Sequence, residues 1–451
     1  MNRLLVECTY VFSQPWVHTG IQRVVRNVAA QQTETGSFCR PLLVAFGPKE
    51  LVRVKELIPS SEIAKGALAK MFAWLQRLQA ALLRKSAISQ CDAFSFARRS
   101  LLMVLFHVVS TALAMLGRFG LDPCRQRAEP LETHSNDTLL LLDTSWHDPR
   151  VFEQLATLKH RGVRILAVVY DLIPIRNSEY CVSALTTVFN DWFSRMTQLA
   201  DGFVCISKCV CREVQDEMRN RIGEEKMREK AFGWFHLGSE LDQKTGRHVV
   251  SERLLKFIDG KETKFLVVGS IEPRKNHKII LDAFEQHWAS GGQSKLCIVG
   301  RVGWMCDDIV SRLKSHPETG SRLFWFNNAG DDELEIAYQN SDALVFASFV
   351  EGFGLPLVEG FQRGLPAIAS DIPVFREVAG DFAEYFDPNS ASDLCAIIDQ
   401  FNITKKLPNA RSVREWKWIT WKESAHQLFD AVDRCCRELD ERHSLSNAHQ
   451  H

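Results

Sequence analysis

The sequence predicts an α/β protein made of two doubly wound domains, and three observations predict it. Short apolar runs of strand length alternate with amphipathic segments of helix length in two series, one ending near Ser239 and one starting at Lys264. The runs end in turns rich in Gly and Pro that lead straight into helices, the pattern of a parallel sheet with crossover helices. The 451 residues suffice for two or three domains, and a hydrophobic content of 45% supports packed cores.

Leu4 to Val11 reads as a first, central strand. The turn SQPWVHTG follows, then a helix with Ile21, Val24, Val25 and Val28 on one face. Thr19 and Gly20 therefore stand at a strand-to-helix turn, and such turns face the ligand crevice of an open α/β sheet. Alternation resumes at Thr138 with the strand TLLLLDTSW, the helix VFEQLATLKHRG and the strand VRILAVVYDLIPI. Asp171 directly follows that last apolar run, where strand ends carry functional residues, although a turn before Pro174 explains it equally well. DGFVCIS (Asp201 to Ser207) is a further strand, with a helix to about Glu217. The expected domains are 1–245, with an insertion at about 50–135, then 246–422, then a final helix and polar tail over 423–451. The linker is expected at roughly 240–260.

A formal net charge of zero gives no field for nucleic acid. The 13 cysteines are scattered, which suits a reducing cytoplasm better than a disulfide scaffold. Cys205, Cys209 and Cys211 cluster without a second ligand pair at zinc-like spacing, so a buried structural role is expected and no metal site. No signal peptide is evident at the N-terminus, and a cytoplasmic location is expected.

The most informative stretch is FVEGFGLPLVEGFQRGLPAIASD, Phe349 to Asp371. DALVFAS before it reads as a buried strand. Gly352 and Gly354 permit a tight turn and a close approach to ligand. Pro356 suits the first turn of a helix and Gly364 its end. Glu351 then lies in the loop and Glu359 about one turn inside the helix. Two carboxylates near a helix N-terminus point to a phosphate ester bearing hydroxyls, since the N-terminus favours an anion and carboxylates accept from sugar OH groups. Arg274 and Lys275 follow a strand and the Pro273 turn. Solubilising a loop is their plain reading; meeting the charge of a leaving diphosphate is the functional one, supported by the carboxylate pair in the same half. Both belong to a loop, so replacing them is expected to leave folding little changed.

These residues carry a resemblance. The two glutamates, eight positions apart, resemble the E-x₇-E motif of retaining GT-B glycosyltransferases of family four. VVGSIEPRKNHKIILDAF (Val267 to Phe284) is similar to that family's strand, phosphate loop and helix, and KLCIVGRVGW to its next strand and turn. TGIQRVVRN and VVYDLIPI resemble its N-terminal pieces, most of all those of transferases of bacterial O-antigen or capsule assembly. The resemblance implies two Rossmann-like domains facing a cleft and a nucleoside-diphosphate sugar as co-substrate, without a metal or other cofactor. It implies that Glu359 binds ribose hydroxyls and that Glu351 contacts the donor sugar. The amides of Phe353 and Gly354 would hold sugar or phosphate, and Gly303 with Trp304 would shape the nucleobase pocket, unless Trp304 simply packs. Gly20, at its strand-to-helix turn, would join the residues that bind the sugar nucleotide.

The implied function is retaining transfer of a hexose, with mannose as the expected sugar, to a hydroxyl of a growing surface glycan or lipid-linked saccharide. The alternatives are a GT-B sugar-nucleotide epimerase and a noncatalytic membrane-associated sugar-nucleotide-binding protein. A nicotinamide oxidoreductase is disfavoured, because no G-x-G-x-x-G follows a strand. The insertion bears on location. Lys65 to Arg127 holds ten Lys/Arg and two Asp/Glu, a net of +8 in a neutral chain. Leu68, Met71, Phe72, Leu75, Leu78 and Leu82 recur at helical spacing. Leu101 to Leu116 is nearly all apolar, but 16 residues extend only about 24 Å as a helix, short of a ~30 Å hydrocarbon core. Packing on the N-terminal domain and in-plane contact with an anionic membrane are both compatible with this run, and the flanking Arg98, Arg99 and Arg118 favour the membrane.

Overall fold

The computed structural model describes residues 3–15, 20–31, 41–57, 71, 74, 75, 78, 104–109, 111, 112, 115, 127–144, 146, 148, 150–239 and 251–448. The chain divides into two compact units, 1–166 and 167–451. The sequence places its main boundary near 245 instead, and residues 240–250 lie outside those described.

In the first unit, β1 (Leu4–Glu7) is flanked in parallel by β2 (Leu42–Phe46) and by a strand at Thr138–Leu141. β3 (Leu51–Val54) and β4 (Ala128–Pro130) extend this sheet antiparallel beyond β2. The strand Thr138–Leu141 is β5, and β6 (Arg164–Val169) starts beside it, where the Arg164 N–H donates to the Asp137 carbonyl at 3.0 Å. β1 is shorter than expected. It stops at Glu7, and Thr9–Ser13 turns into a short helix. The Glu7 carboxylate accepts from the Thr9 N–H at 2.7 Å and Asp143 accepts from the Val11 N–H at 2.7 Å, so side chains take the backbone donors a strand would have paired. The helix Gly20–Ala30 buries Val24, Val25 and Val28, as its spacing predicts. Thr19 lies outside the described residues. So do most residues of the insertion, including Leu68, Phe72, Leu82, Arg84, Lys85, Arg98, Arg99 and Arg118. Those described at 71–78 and 104–115 are helical.

In the second unit, β7 (Gly202–Cys205) pairs in parallel with β8 (Ala231–Trp234), and the end of β6 lies beside β7 through an Ile206 N–H to Val169 carbonyl bond of 3.3 Å. The helix between β7 and β8 is longer than the sequence suggests. It runs Lys208–Arg228 with a kink at Gly223, whose φ of 82° lets the chain bend and continue. Cys205 and Cys211 are buried free thiols in this layer.

A second sheet is wholly parallel. Its strands are β9 (Lys264–Val268), β10 (Lys295–Val299), β11 (Leu323–Phe326), β12 (Ala343–Phe346), β13 (Ala367–Ser370) and β14 (Ala383–Phe386). The spatial order is β11-β10-β9-β12-β13-β14. The strands are buried on both faces and rich in Leu, Val, Ile and Phe, as a sheet covered by helices on both sides requires. The order reverses between β9 and β12, which makes the crevice beyond their carboxyl ends the ligand position of the sheet.

The last described element is a helix of 28 residues, Trp421–Ala448. Ala425, Leu428, Phe429, Val432, Cys435 and Leu439 are buried as it packs on β8 and β7. Polar contacts fix the same docking: Ser424 Oγ donates to the His236 carbonyl at 2.6 Å and Arg442 Nη1 to the Lys230 carbonyl at 3.1 Å.

Candidate functional site

Two loops leave the switch point of the second sheet. After β9 the chain makes a short 3₁₀ turn, Pro273–Lys275, and passes through Asn276 in the left-handed region at φ 55° into the helix His277–Ala289. After β12 it runs through Ser348 to Glu351 and into the helix Leu355–Gln362. The Phe349 N–H donates to the Arg274 carbonyl at 2.8 Å, so the loops are tied together.

That tie brings three predicted residues into one cluster. Glu351 accepts from Lys275 Nζ at 2.5 Å, pairs with Arg274 Nη1 at 2.8 Å and accepts from Ser348 Oγ at 2.9 Å. Arg274 also reaches Glu272 at 3.0 Å, and Lys275 Nζ stands 4.7 Å from the centre of the Phe346 ring. The side chains of Glu351, Lys275 and Arg274 are only 10%, 11% and 18% exposed, so the plain reading of two solubilising cations does not hold, and the expectation that replacing them leaves folding little changed is corrected. Burial pushes the Glu351 carboxyl up, but Arg274 and Lys275 outweigh it and hold it at about 2. Burial pulls the Lys275 ammonium below its usual range, against Glu351. Burial also opposes the charge on Arg274, yet Glu351, Glu272 and Asp171 raise its pKa overall.

Asp171 joins from the end of β6. Burial pushes its carboxyl up, partly countered by Arg274, and it accepts from the Ile173 N–H at 3.1 Å. Its neighbour explains Gly352. A Cβ there would stand 2.1 Å from the Tyr170 carbonyl oxygen and 3.2 Å from Asp171 Cβ. Only glycine lets the two segments approach this closely. Ser207 holds the same turn, donating from Oγ to the Gly352 carbonyl at 2.9 Å. Gly354 opens the helix at φ 103°.

The remaining predicted residues are placed differently. Glu359 is 3% exposed and accepts from Tyr338 Oη at 2.9 Å, a separate set of contacts from those of Glu351. The Phe353 ring is buried among His236 and Trp418, each 5.9 Å away centre to centre. Gly303 backs Glu272, whose Cγ would lie 2.7 Å from an added Cβ. Trp304 donates from Nε1 to the Tyr180 carbonyl at 2.8 Å, a positioning contact. Gly20 belongs to the first unit, where it begins its helix. Sequence reasoning missed Glu272, Ser348 and Tyr338. Glu272 had a readable signal, since it sits two positions before Arg274 in a turn too short to solvate both. Among the described residues no group of His, Cys, Asp or Glu is arranged to hold a metal ion.

Two buried cations fixed beyond the switch point of a parallel sheet are suited to meeting negative charge that builds on a leaving group. Residues 254–415, which contain the whole cluster except Asp171, match the family of glycosyl transferases group 1. They form a glycosyl transferases group 1 domain. The chain is 35% identical over 318 residues to the serotype-specific mannosyltransferase WbdA of Escherichia coli, a match covering 69% of this chain and 38% of that protein. It is 31% identical over 173 residues to the O-antigen chain mannosyltransferase B of Escherichia coli, covering 37% of this chain and 44% of the other. The chain thus spans less than half the length of these curated relatives. Among solved structures it is similar to an α,α-trehalose-phosphate synthase (UDP-forming) from Burkholderia xenovorans, with a TM-score of 0.54 and 12% identity over 97% of this chain and all of the other. A glycosyltransferase from Rickettsia africae matches with a TM-score of 0.51 and 14% identity, over 98% of this chain and 97% of that one. These likenesses establish the fold, which is GT-B.

The charge balance of the group 1 domain has a measurable signature. A carboxyl held at about 2 against an ordinary 4.5 adds stability that is present above pH 4.5 and is lost as the pH falls toward 2. The melting-temperature gap between wild type and Glu351→Gln should therefore be widest above that window and narrow through it. A gap that stays constant on acidification would show that Arg274 and Lys275 do not hold this carboxylate.

Proposed function

We propose that this protein is a retaining glycosyltransferase that moves a hexose, mannose by the names of its relatives, from a nucleoside-diphosphate sugar to a hydroxyl of a growing surface glycan or lipid-linked saccharide. The buried Arg274–Lys275–Glu351 cluster carries the reading. The bond from the sugar C1 to the phosphate oxygen breaks, and the acceptor oxygen bonds to C1 from the same face. The acceptor proton passes to a phosphate oxygen of the leaving diphosphate. Arg274, Lys275 and the N–H groups at the start of the Leu355 helix meet the charge on that diphosphate, in place of a metal ion. Glu351 orients the donor sugar and Glu359 the ribose. Incubation with a panel of sugar nucleotides tests this. Nucleoside diphosphate is expected only when an acceptor saccharide is present, and EDTA should leave turnover unchanged. Interconversion of donors without acceptor would replace transfer by epimerisation, and a loss in EDTA restored by a divalent metal would overturn the role of the side-chain cations.

One observation extends this reading to the membrane. Trp74, Val104, Val108 and Met115 are large apolar residues at 54–61% exposure in the described part of the insertion, whose sequence is strongly basic. No helix among the described residues is long and apolar enough to cross a membrane. An in-plane contact with anionic lipid would use both features and hold the enzyme near a lipid-linked acceptor. Liposome co-sedimentation should require anionic lipid and weaken with salt. Reversing Arg84, Lys85, Arg98 and Arg99 to Glu should abolish it, and unchanged sedimentation would sink the idea.

A further inference from the structure

Beside the charged cluster lies a cavity of about 620 Å³, within the range of small-molecule sites. Its walls combine four kinds of group. His277 lines it, is 2% exposed, and has no hydrogen-bond partner on either ring nitrogen. Burial first, then Lys275, pushes that imidazole down to about 3, so the ring is neutral and offers one N–H donor and one acceptor. Two helices begin at the cavity, His277–Ala289 and Asp307–Ser315, and neither has a side-chain cap on its first N–H groups. The Asn276 side chain makes no cap, and its Nδ2 donates to the Pro388 carbonyl at 2.8 Å. The rings of Tyr180 and Phe349, parallel to within 1° and 5.6 Å apart, form an apolar wall with Met305, which is 56% exposed.

The chemistry of the occupant follows from these groups. Open N–H donors alone would favour an anion. Asp307 and Asp308 also line the cavity and oppose one, while the other charged side chains of its lining are already paired, Lys278 with Asp282 at 2.7 Å and Glu272 with Arg274 at 3.0 Å. A ligand rich in hydroxyls satisfies both sets, because each hydroxyl donates to a carboxylate and accepts from an N–H. It also suits a neutral imidazole, which presents a donor and an acceptor together. The apolar wall matches the C–H face of a pyranose ring. The cavity shares Glu272 and the Phe349 segment with the charged cluster but contains none of Arg274, Lys275 and Glu351. A sugar bound here would therefore not be the one whose bond to phosphate breaks.

We propose that this cavity is an acceptor subsite on the group 1 domain, holding a neutral hexopyranose residue of the acceptor glycan behind the residue that reacts. The acceptor role rests on the transfer reading above; the binding of a neutral sugar does not. Met305→Trp fills the cavity at an exposed position, and Asp308→Asn removes one carboxylate at another. With acceptors of one and three mannose residues, Met305→Trp should raise KM for the longer acceptor about tenfold and leave KM for the shorter acceptor and for the sugar nucleotide within about twofold. Asp308→Asn should act in the same direction, by about threefold, and carries the test alone if the tryptophan variant fails to fold. A rise in KM for the sugar nucleotide alone overturns the acceptor assignment, and no change in any KM overturns the subsite. Saturation-transfer NMR with free mannotriose separates this from the transfer reading. Contacts seen with wild type and lost in the variants support the cavity even where no transfer is detected, and a wild-type protein that shows none overturns it.

Discussion

Lys275→Ala should lower turnover by about 10²–10³-fold, and Arg274→Ala by a similar factor, the loss that follows removal of one preorganised donor to a charge-bearing oxygen. Stability should fall as well. Each truncation leaves Glu351, 10% exposed, with one cation where it had two. Breaking a buried pair costs about 3–5 kcal/mol when the remaining charge is left alone, and the surviving cation should hold the loss to the lower end. The two effects separate in the double variant Lys275→Ala/Glu351→Gln. It should regain much of the stability, because the buried carboxylate is gone, and none of the turnover. Urea melts with nucleoside-diphosphate release measure both, and single variants with wild-type turnover would remove these residues from the phosphate site.

Gly352→Ala should be the most damaging change that touches no charge. The new Cβ would stand 2.1 Å from the Tyr170 carbonyl oxygen, so one of the two segments must move. Overpacking of this kind costs about 1–3 kcal/mol. The turn that moves also carries Glu351 one residue away, and a displacement of about 1 Å at a reacting centre can cost about 10²-fold in rate. A variant that melts lower and turns over about a hundredfold more slowly is the expected outcome. Wild-type kcat would mean that the close approach does not position Glu351.

Much of this site was legible because its parts lie in loops with local signatures. The EGFGLP turn, the PRKN turn and the strands before them announce themselves through period, glycine and proline. What the sequence could not display is pairing at a distance. Glu351 meets Lys275 across 76 residues, and Ser207 meets Gly352 across 145. For the same reason replacing Arg274 and Lys275 was expected to leave folding little changed, since nothing near them in sequence reveals the carboxylate that accompanies their burial. Glu359 illustrates the converse. Its apolar neighbours Leu357, Val358 and Phe361 forecast burial, but only the fold supplies Tyr338 as its donor. The first strand was overread because Val11 is apolar and buried, yet its N–H donates to Asp143, 132 positions away, while the Thr9 N–H turns back to Glu7.

The terminal helix imposes an order on synthesis. The surface of β7 and β8 that it covers is completed only by residues such as Ser424 and Arg442, which bond to partners 188 and 212 positions earlier. At roughly 5–20 residues per second, about 200 residues take on the order of 10–40 s to emerge. For that interval the hydrophobic side of β8 waits uncovered while the second sheet is being made. The second sheet, by contrast, draws on neighbours close in sequence and is free to assemble first. The nascent chain therefore passes through a stage in which its second sheet is folded and β7 and β8 still need shielding, which makes the helix Trp421–Ala448 a determinant of yield as well as of stability.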